Sequence, residues 1–326
     1  MARDQVSFMV EGALMAALTA VLALIGLLVP PLMLVTSLIW TIPIVVLIVR
    51  RDLKTGVMAT VVAAFLVTLV VGPVKSFFLI MQFGGLGLVY GYLFKVRVSS
   101  GNALLSGALV AAASTALAIG LSFLIMGGSF ANLEATSRET ADAMIEAYRK
   151  AGVLDSITRG EMTPEELADA MVKMMTVLLP GALVIGGVFS AFINFILSRA
   201  VVKRLGLYSP YLPPFRRWQL PWYMVWGFIA GLGFWLLGDY LAVRWLAVAG
   251  QNILYVFLPI LFVIGLSVAT YFYHRWSWPI FFKVMALVLA VLYLPMVVMT
   301  LMVVGLLDTL FNYRKITGDE EEGRPA

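Results

Sequence analysis

The sequence predicts an all-α, polytopic membrane protein, and three features lead to that prediction. Hydrophobic residues make up 62% of the chain and charged residues 13%, and the mean hydropathy is +0.97. Soluble domains are usually closer to a quarter charged. The apolar residues are gathered in stretches of roughly 20 residues, the helical length that crosses a bilayer core about 30 Å thick. Most of the charges fall between those stretches.

Five apolar segments come first. Pro30-Pro31 separates the first two, because the second proline disfavours helix in the residue before it. Gly72-Pro73 separates the third from the fourth. We therefore predict membrane helices at residues 10–29, 32–49, 55–71, 76–94 and 102–126.

A polar insertion follows at residues 129–173, with nine acidic and five basic residues. Near its end, Thr163 can cap a helix, Pro164 fits the first helical position and Glu166 completes a capping box. No helix breaker follows before Pro180, so we predict that one helix rises from the insertion and becomes the sixth membrane span. This helix ends near residue 198, and Pro180 can kink it.

The prediction divides the chain into four parts. Residues 1–198 form a six-span membrane core, 199–221 a basic cytoplasmic loop, 222–313 additional transmembrane helices and 314–326 a charged tail. We expect the tail to be frayed, as chain ends often are.

The number of C-terminal spans stays open at this stage. Segments 222–237, 252–273 and 279–307 give nine spans in total, whereas a re-entrant or interfacial piece at 239–251 reduces the number to eight. Nine spans place Arg314 outside the cell, and an even number places it inside. Asp308 either pairs with Arg314 or marks a surface for a partner.

Basic residues predict the orientation in the cell membrane. With a cytoplasmic N-terminus, the short outer loops hold Lys75 and Arg244, against twelve bases in the inner loops. Basic residues are concentrated in cytoplasmic loops, so this orientation is predicted and the insertion 129–173 lies outside. The inner bases are Arg3, Arg50, Arg51, Lys54, Lys95, Arg97, Arg199, Lys203, Arg204, Arg216, Arg217 and Arg275.

The sequence lacks the residues that several classes of activity require. The chain has no Cys and a single His, His274, which excludes disulfides, thiol catalysis and metal sites built on cysteines or several histidines. The motifs HExxH, GxSxG and GxxxxGK followed by Ser or Thr are absent. We therefore predict no enzymatic activity, no catalytic residue, no cofactor and no metal site. The net charge of +5 fits loops that meet anionic lipid, and we expect no nucleic-acid binding.

The first six spans resemble the S-component of energy-coupling-factor (ECF) vitamin transporters. The resemblance rests on an alanine-rich first helix, on Pro43 followed by a basic turn with a glycine, and on a glycine-rich run in the fourth span. The whole chain, with its extra C-terminal helices, resembles the YybS-like family of bacterial membrane proteins. The matching segments are residues 12–20, 50–56, 82–91 and 307–315.

The S-component resemblance implies that the first helix docks on a transmembrane coupling subunit that works with ATPases. Alanines four residues apart carry that contact, and here Ala13/Ala17 and Ala16/Ala20 have this spacing. Small side chains let helix backbones approach closely in lipid. The alternative is that these alanines pack against helices of their own chain. Gly87 and Gly91 likewise either pack internally or line a ligand cavity.

The resemblance also implies a pocket for a small molecule near the outer face. Candidate substrate-binding residues are Lys75, Gln82, Ser122 and Thr176. Gln82 lies in an apolar helix, where an unpaired amide is costly, so it needs a partner on another helix or on a substrate. Lys75 can instead extend its ammonium group to the membrane interface.

Two functions follow from the sequence. The first is a small-molecule binding and transport subunit similar to an ECF S-component. The second is a non-transporting scaffold that recruits partners through its C-terminal helices and basic loops. An enclosed outer pocket favours the first function, and side chains that fill this volume favour the second.

Overall fold

The computed structural model describes residues 2–125, 130–158, 162–275 and 279–316, and every regular element in these ranges is helical. Short 3₁₀ turns lie at Pro30–Leu32, Phe215–Arg217 and Trp222–Met224. The α-helices are α1 Ala2–Leu28, α2 Met33–Ile39, α3 Ile42–Arg50, α4 Leu53–Val71, α5 Pro73–Lys95, α6 Ser100–Ile125, α7 Phe130–Lys150, α8 Leu154–Thr158, α9 Pro164–Arg204, α10 Val225–Tyr240, α11 Arg244–Arg275, α12 Ile280–Leu292 and α13 Leu294–Phe311.

Seven of the described helices are long and apolar enough to cross a membrane: α1, α4, α5, α6, α9, α11 and α13. The predicted all-α, multi-pass membrane class is therefore confirmed. The predicted eight or nine full spans are not all present as long helices. The α2–α3 segment, α10 with 16 residues and α12 with 13 residues are shorter than a full crossing.

Two predicted spans are broken, and a proline explains each break. The span predicted at 32–49 divides into α2 and α3, with Pro43 in the first turn of α3. The span predicted at 279–307 divides at Tyr293 into α12 and α13, with Pro295 in the first turn of α13. Proline has no N–H to bond the carbonyl four residues earlier, but it fits the start of a helix. Both single-helix predictions are corrected.

The predicted helix through Pro180 is confirmed, since α9 runs continuously for 41 residues. Its start is the predicted capping box. The Thr163 N–H donates to Glu166 Oε2 at 2.8 Å, and the Glu166 N–H donates to Thr163 Oγ1 at 3.2 Å. The sequence therefore identified the beginning of this helix, which ends at Arg204 and not near the predicted residue 198.

The chain forms two compact units. Unit 1 contains Met1–Leu121 and Leu183–Leu212, and unit 2 contains Ser122–Ala182 and Pro213–Ala326. This division differs from the predicted parts 1–198 and 222–313, because the polar insertion and the first half of α9 group with the C-terminal helices. In unit 2, α7 packs on the start of α9 through a small apolar cluster of Ala141, Ile145, Ala168 and Val172.

The core of unit 1 is built around close approach of α3 and α5. A side chain at Gly91 would collide with Ile48 on α3, and one at Gly87 would press on Thr41. Next to this contact, Tyr90, Phe94 and Phe195 form a buried cluster in which Phe195 meets the other two rings edge to face. Both glycines therefore permit close helix packing, and Gly87 also lines a small cavity in unit 1.

The membrane part of unit 2 is built around α11, which packs on α10 and on α13. A Cβ at Gly265 would overlap the carbonyl of Leu301 on α13, and a Cβ at Gly305 would overlap the carbonyl of Leu261 on α11. Lipid supplies no hydrophobic force between helices, so close packing over small residues has to hold them together. The α11–α13 contact depends on these two glycines.

We predict that Gly265→Leu separates α11 from α13 and lowers the free energy of unfolding by about 3 kcal/mol, near the upper end for overpacking. Gly233→Leu on α10 is the matched control, because nothing lies within 4 Å of a Cβ at that position. The measurement is unfolding of the purified protein in detergent. Equal stability of the two variants would contradict the packing argument.

Candidate functional site

The four predicted pocket residues are divided between the two units. In unit 1, Lys75 is exposed in the first turn of α5, and Gln82 is half-buried on the same helix. The Gln82 amide has no hydrogen bond to any described residue. In unit 2, the Thr176 hydroxyl donates to the carbonyls of Val172 and Lys173 in its own helix. Ser122 lies in α6, but its side chain falls outside the described residues.

A small cavity lies inside unit 1, between α1, the α2–α3 break, α4 and α5. The space open to the centre of a water molecule is about 10 Å³, close to the minimum for one water and far below the size of a vitamin. None of the four predicted pocket residues lines it. Its lining consists of Thr19, Trp40, Thr41, Ile44, Thr60, Ala63, Ala64, Val67, Ile80, Gly84 and Gly87.

The threonine hydroxyls of this cavity already have partners in the protein. Thr19 donates to the Met15 carbonyl at 2.8 Å, and Thr60 donates to the Gly56 carbonyl at 2.9 Å. Thr41 donates to Oδ1 of the fully buried Asn194 at 2.6 Å. The interior of unit 1 is therefore closed around the cavity.

The two alanine pairs of α1 have different environments. Ala16 and Ala20 are 1% and 3% exposed and pack in the core of unit 1, which leaves them no surface for a partner helix. Ala13 and Ala17 are exposed. The docking role of Ala13 and Ala17 stays a prediction, and Ala16 and Ala20 serve internal packing.

Asn252 is an important polar residue that the sequence analysis did not single out. Its side chain enters α9 beside Pro180. The Gly181 N–H donates to Asn252 Oδ1 at 2.7 Å, and Asn252 Nδ2 donates to the Val177 carbonyl at 2.8 Å. In an unbroken helix, that N–H and that carbonyl bond each other. Asn252 therefore replaces a helix hydrogen bond at the proline. A lone amide in an apolar segment was the available signal.

A buried ionic cluster lies at the end of α13. Asp308 and Arg314 are both fully buried as side chains, and Arg314 Nη2 lies 2.7 Å from Asp308 Oδ2. The predicted pairing of these residues is confirmed. The prediction of a frayed tail from residue 314 is wrong for Arg314 and Ile316, which are 4% and 7% exposed. Residues 317–326 lie outside the described part of the chain.

Arg314 also joins the basic loop to the membrane helices of unit 2. Its guanidinium donates to the carbonyls of Arg216 and Trp218 and to Ser267 Oγ, at 2.7–2.8 Å. Ser267 Oγ in turn donates to the Phe215 carbonyl at 2.7 Å. The loop, α11 and the end of α13 are therefore held by one side chain.

This cluster fixes which end of unit 2 holds Arg314. The later part of α11, at Ser267, and the end of α13 both adjoin the loop that contains Arg216. Since both helices run towards the loop, the chain between them has to return, and α12 is the helix in that connection. Arg314 thus shares a side with Arg216, the result expected for an even number of crossings. That this side is cytoplasmic stays a prediction.

A second charged cluster lies where α1 meets the α3–α4 turn in unit 1. Glu11 Oε1 forms an ion pair with Arg50 Nη1 at 2.8 Å, and Glu11 Oε2 accepts a hydrogen bond from Arg51 Nε at 2.6 Å. Lys95 donates to the Arg51 carbonyl. In the ranges that the structure covers, no group of three or more His, Asp and Glu side chains could hold a metal ion. The absence of enzymatic activity remains a prediction.

Comparison with known proteins gives a family and one relative. The sequence model of the predicted membrane protein family DUF2232 matches residues 17–309. The chain is 24% identical over 313 residues to the uncharacterized protein YybS of Bacillus subtilis (strain 168). The aligned region covers 95% of this chain and 98% of that protein. No solved structure matches the chain. Similarity to the ECF S-components therefore stays a prediction.

We predict that Asn252→Leu destabilises the protein by about 1–3 kcal/mol, because the Gly181 N–H and the Val177 carbonyl lose their partner. In a Pro180→Ala background these two groups can bond each other, so the same substitution should cost less. A double-mutant cycle from unfolding in detergent measures this coupling. Strictly additive effects would contradict the repair of the helix by Asn252.

We predict that Arg314→Met destabilises unit 2 by about 3–5 kcal/mol, since it leaves the buried Asp308 without its counter-charge. Trypsin should then cleave faster after Arg216 and Arg217, because the loop loses its anchor. Lys315→Met is the control, as Lys315 is exposed and adjacent. If the two variants melt and cleave alike, Arg314 does not anchor the loop.

Proposed function

The chain belongs to the DUF2232 family of predicted membrane proteins, and from this premise we propose that it is a partner-binding integral membrane protein. The closed interior of unit 1 carries the proposal. Its cavity has room for about one water, and the three threonine hydroxyls that line it are bonded within the protein. In the described part of unit 1 this cavity has no room for a small-molecule ligand, which supports recognition through the surface.

The exposed side of α1 supports a docking role. Ala13 and Ala17 lie on this side, next to the exposed Leu14 and Leu18. Two small side chains one turn apart leave a shallow groove that lets another helix approach closely. In this proposal a transmembrane helix of a partner packs on the two alanines.

A second candidate function is a small-molecule transport subunit similar to an ECF S-component. The position of the cavity favours it, because Gly84 and Gly87 of the glycine-rich run line the cavity together with three threonines. In that case the cavity opens by movement of α5 or of the α2–α3 segment, and the Gln82 amide finds its partner on the ligand. The partner at α1 is then a coupling subunit bound to ATPases.

We predict that Ala13→Trp and Ala17→Trp each reduce recovery of the partner at least about 10-fold, a loss of about 1.4 kcal/mol. Leu109→Trp, at an exposed position on α6, should leave recovery unchanged. The measurement is quantitative affinity purification of the full chain from its own membranes, with mass spectrometry of bound proteins and small molecules.

The bound components separate the two candidates. A partner without ATPase subunits supports the scaffold, and an ATPase complex together with a retained small molecule supports transport. Equal recovery with all three tryptophan variants would refute docking through the α1 alanines.

A further inference from the structure

One end of unit 1 carries nearly all of its charge. We call it the basic end. It is made of the α3–α4 turn with Glu11 of α1 paired to it, the α5–α6 turn, and the end of α9 with the segment that follows. It contains eight bases and two acids, a net charge of +6 among the described residues. The bases are Arg50, Arg51, Lys54, Lys95, Arg97, Arg199, Lys203 and Arg204, and the acids are Glu11 and Asp52.

Side-chain contacts hold these three segments together. Lys95 donates to the Arg51 carbonyl, which joins the α5–α6 turn to the α3–α4 turn. The Arg97 guanidinium lies 4.9 Å from the centre of the Tyr208 ring, which joins the same turn to the segment after α9. Arg199 donates to the Pro210 carbonyl at 2.7 Å and so fixes that segment on α9. The basic end is therefore one built surface.

Both acids of the basic end are already occupied. Glu11 is paired with Arg50 and Arg51. Asp52 caps α4 by accepting the Thr55 N–H at 2.7 Å, and this bond keeps the pKa of its carboxyl below the usual value. Four exposed bases have no acidic partner among the described residues. They are Lys54, Arg97, Lys203 and Arg204.

Exposed apolar side chains lie directly beside these free charges. Val57 follows Lys54 by one turn of α4, Val96 precedes Arg97, and Leu205 follows Arg204. They are 41%, 47% and 53% exposed. Val57 lies within α4, inward of Lys54, whereas Val96 and Leu205 adjoin the bases at the ends of α5 and α9. Positive charge at the helix ends with adjoining apolar surface matches a molecule with an anionic head and acyl chains. A soluble anion would bind the bases but would make no contact with the exposed apolar side chains.

We propose that the basic end of unit 1 binds the headgroups of anionic phospholipids, with the phosphate between Lys54 and Arg97 and the chains along α4 and α5. Bases near a membrane surface attract anionic lipid, and the attraction weakens with salt. The proposal concerns the charge and the apolar surface of unit 1 and does not depend on the docking role of α1.

The test uses the full chain, purified in neutral detergent and stripped of lipid. Phosphatidylglycerol and phosphatidylcholine are titrated separately, and bound lipid is counted by native mass spectrometry. We expect phosphatidylglycerol to bind at least about 10-fold more tightly. Lys54→Gln with Arg97→Gln should weaken it by about 30-fold, about 5-fold for each charge removed and somewhat more for both.

Two controls define the alternatives. Lys75→Gln removes one base from the opposite end of α5 and should leave binding unchanged. Lys54→Arg with Arg97→Lys keeps both charges and should retain most of the binding, which separates charge from folding. Equal affinity for the two lipids, equal loss with Lys75→Gln, or displacement of the lipid by millimolar inorganic phosphate would each overturn the proposal.

Discussion

Inside a bilayer, a backbone N–H or C=O group without a protein partner finds no water to bond, so every interruption of a helix has to be resolved by the chain itself. This constraint determines whether a helix ends or continues at each of three prolines. At Pro43 and Pro295 one helix ends and another begins, because proline fits a first turn. At Pro180 the helix continues, and the Asn252 amide bonds two backbone groups beside the proline, the Gly181 N–H and the Val177 carbonyl.

The bilayer also lacks the hydrophobic force that packs helices together in water. Helices in a membrane therefore associate through close contacts over small side chains. Gly91 meets Ile48 in unit 1, and Gly265 meets the Leu301 backbone in unit 2. Contacts this close leave little empty volume between helices, which agrees with the small size of the cavity in unit 1. Binding of a molecule larger than water in this cavity therefore requires movement of a helix.

Much of this arrangement could be predicted from the sequence. Apolar length gave the helices, the Thr163–Glu166 capping box gave the start of α9, and opposite charge gave the Asp308–Arg314 pair. These are local signals, or pairs that are close in sequence. The contact between Asn252 and Gly181 spans 71 residues, and periodicity carries no information about such a contact. The resemblance likewise could not tell to which unit each predicted pocket residue belongs, because that depends on contacts far apart in sequence.

The buried ionic cluster shows how a costly arrangement can be retained in this chain. Removing two charges from water is unfavourable unless further hydrogen bonds saturate them. Arg314 meets that condition with Asp308, Ser267 and two loop carbonyls. A neutral apolar side chain would avoid the desolvation cost, but it could not bond the carbonyls of Arg216 and Trp218. Arg314 therefore serves to fix positions. It holds the basic loop, the end of α13 and α11 together at one end of unit 2.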